Sequence, residues 1–153
     1  MLAVLLAGCA SPGGVPVVET PVGPSGEPAR AAAGEGWLVV YSAFEVVPMD
    51  NSYSTPRTRY EVDDAEGRML RKVSNFASTF DATPTPVSLS AGSYRVLAAA
   101  ANYGLVAVPV VIQPNRTTTL YLDGAPHQEV AGMGAAAAVR LANGAVIGPR
   151  ANP

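Results

Sequence analysis

The chain has 153 residues, of which 48% are hydrophobic and 14% charged, with ten basic and twelve acidic side chains and a net charge of -2. That length is one domain with room for an attached segment, and the missing basic excess argues against a nucleic-acid partner. A single Cys and a single His leave no internal disulfide, no cysteine-based zinc cluster and no multi-histidine metal site; nothing in the sequence calls for a cofactor.

Residues 1–9 are uncharged and mostly apolar and end at Cys9. The run is too short for a bilayer-spanning helix, which needs about 20 residues. An apolar stretch followed by small residues is the ending of a secretory signal. Leu6-Ala7-Gly8-Cys9 resembles a bacterial lipobox. The resemblance implies that the Cys9 thiol takes a diacylglyceryl group through a thioether and that the chain is cut just before it. Residues 1–8 would then be a lipoprotein signal peptide, and Cys9 the lipid attachment site. The usual positively charged start is missing, so a signal truncated at its N-terminus is expected. Each buried CH2 of an acyl chain contributes roughly 0.8 kcal/mol, and two or three chains anchor a protein stably. Ala10, where Asp would direct retention in the inner membrane, implies by the same resemblance the outer membrane, with the protein facing the periplasm.

Residues 10–36 hold five Pro and six Gly and no aromatic, Ile, Leu or Met. Such composition buries too little apolar surface to offset its ordering entropy, so residues 9–36 are expected to be the lipidated cysteine followed by a disordered Pro/Gly-rich linker.

All ten aromatic residues lie between Trp37 and Tyr121. Residues 37–124 are therefore the expected domain. Trp37 begins a run in which Leu38, Val40, Phe44 and Val46 share one face at period two, and Trp37, Val39 and Tyr41 the other; this predicts an interior strand over 37–47. Residues 49–57 read as a polar loop. Residues 58–62 and 68–74 read as strands joined by Asp63-Asp64-Ala65-Glu66-Gly67, with Gly67 suited to positive φ. Residues 75–86 read as a loop and 87–89 as a short strand. Tyr94, Val96, Ala98 and Ala100 share one strand face, and Val106, Val108, Val110 and Ile112 another. Pro109 falls opposite, which predicts an edge strand or a bulge. Residues 117–122 alternate again, rich in β-branched Thr. Seven strands with turn signals between them predict an all-β, antiparallel β-sandwich. In residues 125–153, Asn143-Gly144 predicts a small C-terminal hairpin.

Leu89, Gly92, Tyr94 and Val96, followed by Tyr103-Gly104, Val108, Val110, Arg116-Thr117, Leu120 and Leu122, resemble the second half of prealbumin-like domains of the carboxypeptidase-regulatory-like and PEGA type. The usual Pro-Gly turn is here Pro114-Asn115, with Asn able to take the left-handed conformation. The resemblance covers about 35 residues and implies a prealbumin-like sandwich acting as a non-catalytic envelope module.

Residue chemistry points away from an enzyme. His127 has no Gly-x-Ser-x-Gly motif to serve and reads as a loop histidine. Asp63, Asp64 and Glu66 lack EF-hand spacing and read as a solvated turn. Asp50, Asp81 and Asp123 remain a carboxylate pair only if the fold brings two of them together. Tyr53 and Tyr103 fall in expected loops, where exposed rings stack on a sugar or a partner. The expected function is thus a membrane-anchored bacterial lipoprotein with a module for envelope scaffolding or protein–protein contact, presented by the sheet edge near Pro109 or by the loop tips. The alternative is a module that binds cell-wall or other glycans through Tyr53 or Tyr103.

Overall fold

The structure is a computed structural model that describes residues 14–24, 33–78 and 80–152. Cys9 lies outside the described residues. The described chain is all β, with eleven strands and no helix.

In chain order the strands are β1 (Glu35–Tyr41), β2 (Val47–Met49), β3 (Ser52–Ser54), β4 (Tyr60–Asp63), β5 (Met69–Val73), β6 (Val87–Ser90), β7 (Gly92–Ala100), β8 (Gly104–Ile112), β9 (Thr117–Tyr121), β10 (Ala138–Arg140) and β11 (Val146–Pro149). A four-stranded sheet runs β5-β4-β7-β8, and a three-stranded sheet runs β6-β1-β9. Period-two patterns place Val62, Val96 and Val108 from the first sheet in one core with Leu38, Val40 and Leu120 from the second; all six are fully buried. The expected turns form as their residues dictate: Gly67 has φ 82°, and Asn115 has φ 56° after Pro114.

Three expectations are corrected. First, pairing is not antiparallel throughout, because β1 runs parallel to β9, from Trp37 beside Thr117 to Tyr41 beside Tyr121. Second, the opening strand stops at Tyr41 rather than Val47. Buried Ser42 bonds the Thr58 carbonyl and Asn75, and the chain turns out of the sheet there. Phe44 and Val46 are consequently exposed. The β2–β3 hairpin, residues 47–54, takes up most of the expected loop over 49–57 and places Tyr53 on a strand.

Third, the Pro/Gly-rich segment, where described, is docked rather than disordered. The Val18 N–H donates to Ala107 O (2.9 Å) and the Ala107 N–H to Pro16 O (2.9 Å). Further along, the Val22 N–H donates to Pro109 O (2.9 Å) and the Val111 N–H to Val22 O (2.8 Å). Residues 16–22 thus lie parallel to β8 and satisfy its outer edge. Pro109 has no N–H to offer, and the segment skips two residues there before Val22 resumes the ladder. Val22 is fully buried, a burial that contributes roughly 1.5–3 kcal/mol. Gly148 makes room for it, since a Cβ there would sit 2.6 Å from Val22 Cγ1.

The C-terminal hairpin forms as expected from β10 and β11, with Gly144 at φ 88°. The segment's other edge joins it to the core: Gly23 N–H donates to Pro149 O (3.1 Å) and Ala151 N–H to Pro21 O (2.9 Å).

Candidate functional site

The residues singled out by sequence do not converge. Tyr53 is 73% exposed on the β2–β3 hairpin. Tyr103 sits in the β7–β8 turn, half-buried against the core. It lines a polar cleft of about 400 Å³ together with Glu19, Arg140 and Arg150. The acidic candidates Asp63, Asp64, Asp81 and Asp123 are each engaged with a different partner. Asp63 pairs with Arg95 (3.0 Å) and Asp64 with Arg68 (2.7 Å). Hydrogen bonds from the Arg68 backbone and guanidinium hold the Asp64 carboxyl below its ordinary range. Asp81 caps the Thr83 amide (2.9 Å), and bonds from the Thr83 side chain and backbone lower its pKa likewise. Among the described residues no group of three His, Cys, Asp or Glu side chains is placed to hold a metal ion.

Sequence reading missed the most ordered polar cluster. Arg57 is buried where the chain returns from the β2–β3 excursion. Its Nη1 donates to Asp123 Oδ2 (3.1 Å) and Ser42 O (2.9 Å), and its Nε to Ala82 O (2.6 Å). Asp123 Oδ1 lies 2.8 Å from His127 Nε2 and also accepts from the Ala125 N–H. Tyr41 and Tyr121 stack at 5.3 Å, and the imidazole lies 4.7 and 4.4 Å from their centroids. Burial, reinforced by the Glu129 carboxylate, pushes the Tyr121 phenol up from its ordinary value. The one available signal was spacing: Asp123 and His127 are four residues apart across a Gly-Ala-Pro turn.

With both carboxylate oxygens occupied, Asp123 ties the end of β9 to Arg57 and to the turn that follows. His127 also accepts the Val130 and Ala131 amides on its carbonyl, which fixes that turn. The cluster is therefore a structural pin. It braces what lies above it, for the Arg57 guanidinium is 4.5 Å from the Phe44 ring centroid. Phe44, Val46, Met49 and Tyr53 are all exposed on this excursion, and Phe80, two residues from the carbonyl that Arg57 Nε holds, is 77% exposed. The register that pairs Tyr53 with Pro48 and Met49 with Ser52 puts Met49 and Tyr53 on opposite faces of the hairpin, so the excursion carries exposed apolar side chains on both sides.

No protein-family model, curated protein or solved structure matches the chain.

Proposed function

We propose that this chain is a lipid-anchored protein of the bacterial cell envelope, held at the periplasmic side of the outer membrane by acyl chains on Cys9. Its folded part is a non-catalytic module for envelope scaffolding or protein–protein contact. In this reading the four-stranded and three-stranded sheets, with their shared core, are a seven-stranded prealbumin-like β-sandwich. The observation that carries the module reading is the exposed excursion bearing Phe44, Val46, Met49 and Tyr53, braced from below by Arg57. The edge near Pro109, expected from sequence as a contact surface, is already covered by residues 16–22.

Docking of that segment shortens the leash. The covalent chain from Cys9 to Pro16, where docking begins, reaches at most about 25 Å, where a linker running to residue 36 would reach several times farther. The proposed module therefore works close to the leaflet.

The test uses full-length chain behind a complete export signal. Cys9→Ser is expected to move the protein from membrane to soluble fractions. A photo-crosslinking residue at position 53 is expected to give a discrete protein adduct in intact cells, and one at exposed Lys72 on β5 is not. Unchanged fractionation would refute the anchor, and equal crosslinking at both positions would refute the surface.

The cleft at Tyr103 supports the second reading, a glycan-binding module. An aromatic ring beside a carboxylate (Glu19) and two guanidinium groups (Arg140, Arg150) suits a sugar's apolar face and hydroxyls. Glycan-array binding that Tyr103→Ala abolishes and Tyr53→Ser spares would favour it over the scaffold.

A further inference from the structure

A second concavity lies between the C-terminal hairpin and the open end of the sheets. Its volume is about 530 Å³, within the range of small-molecule sites. Buried Ala100, Leu122, Leu141 and Ile147 form its floor, and Val130 a wall. The His127 ring lines it with Nε2 committed to Asp123. Among the described residues that line it none is acidic, and Arg140 supplies the one fixed charge. Arg140 is exposed at the rim, and among the described residues its guanidinium bonds only the Gly144 carbonyl, through Nη1 (2.9 Å). An apolar floor cannot reward a polar ligand, and a rim whose sole fixed charge is positive, on a chain of net charge -2, selects the sign of the head group.

The geometry points to a binding site for a small monoanionic amphiphile: a compact apolar body on the Leu122–Ile147 floor, with its carboxylate or sulfonate at Arg140. The guanidinium keeps donors free for that head while holding Gly144, so the β10–β11 turn carries the specificity element. A concavity of this volume holds one compact body, so the ligand binds as a single free molecule. The site is separate from the excursion that bears Tyr53 and does not depend on the anchor at Cys9.

The test is fluorescence titration of the full chain with anilinonaphthalene sulfonate, and with the uncharged phenylnaphthylamine that shares its rings. One saturable site is expected for the sulfonate. Dodecanoate below its micellar concentration should displace it, and dodecyltrimethylammonium should not. Arg140→Gln should weaken the sulfonate about tenfold and leave phenylnaphthylamine unchanged. Ala145→Trp, on the exposed turn at the mouth, should block both probes, with far-UV circular dichroism and thermal unfolding confirming the fold. Ala131→Trp, from the opposite wall, makes the same test should the first variant fold poorly. Absence of a saturable site would overturn the proposal. So would binding indifferent to both tryptophans, equal displacement by the two detergents, or transfer of the probe to anionic vesicles alone.

Discussion

Two segments of this chain lie on opposite sides of the same physical question. Residues 16–22 carry three Val among Pro, Glu and Thr, and look too poor to fold. Residues 44–53 carry Phe, Met and Tyr, and look rich enough to be core. The first segment is docked with Val22 fully buried, and the second stands in solvent. What separates them is backbone hydrogen bonding. An open edge on β8 presents unpaired amides and carbonyls, and residues 16–22 are the segment that pairs them. The excursion pairs its backbone mostly with itself, in the β2–β3 hairpin and between Glu45 N–H and Pro56 O, and meets the sheets only at its root, where Ala43 N–H donates to Ala99 O. Composition decides whether a segment can fold alone; unpaired edges decide whether it is recruited.

Substitutions sharpen this contrast. The largest effect is expected beneath the excursion. Asp123→Ala leaves the Arg57 guanidinium buried without its carboxylate, at a cost of about 3–5 kcal/mol, readable as a lowered denaturant midpoint. Val22→Ala in the docked segment should cost about 2 kcal/mol. A linker would tolerate it without change. Tyr60 separates burial from bonding in another way. Its hydroxyl is buried with no hydrogen-bond partner among the described residues, so Tyr60→Phe should be neutral or stabilise by up to about 1 kcal/mol.

The same residue sets an alkaline limit. Burial pushes the Tyr60 phenol far above its ordinary value of 10.0, and Tyr121 is raised as well. A raised folded-state pKa means that the folded chain holds protons the unfolded chain has lost. The stability they contribute is complete below pH 10 and drains as pH climbs toward the folded values. Urea unfolding followed from pH 9 to 11 should show the decline, and Tyr60→Phe should flatten most of it. The smallest effect is expected at the excursion itself. Tyr53→Ser should change stability by no more than about 0.5 kcal/mol while lowering the yield from a photo-crosslinking residue placed instead at exposed Val46.

Most of the sheet architecture was legible in sequence. Alternation in Val106, Val108, Val110 and Ile112 and turn chemistry at Gly67, Asn115 and Gly144 located strands and turns closely. Pro109 marked β8 as an edge, which it is in its own sheet. Three features were not legible, each for a stated reason. Parallel pairing of β1 with β9 joins residues eighty positions apart and leaves no local trace. The run from Leu38 to Val46 keeps period two past Tyr41, and only the buried Ser42–Asn75 bond reveals the exit. Arg57 falls within the expected 49–57 loop, Asp123 is one of three acids that only the fold can pair, and His127 reads as a loop histidine. Their meeting depends on where two loops end, which spacing does not encode.

The docked segment is tested most directly by native-state amide hydrogen exchange on the full chain. The amides of Val18, Val22 and Val111 are expected to exchange as slowly as those in the centre of β7, and the amides of residues 50–53 orders of magnitude faster. Exchange of Val18 and Val22 at the rate of an unstructured peptide, with Val111 unprotected beside them, would contradict the account.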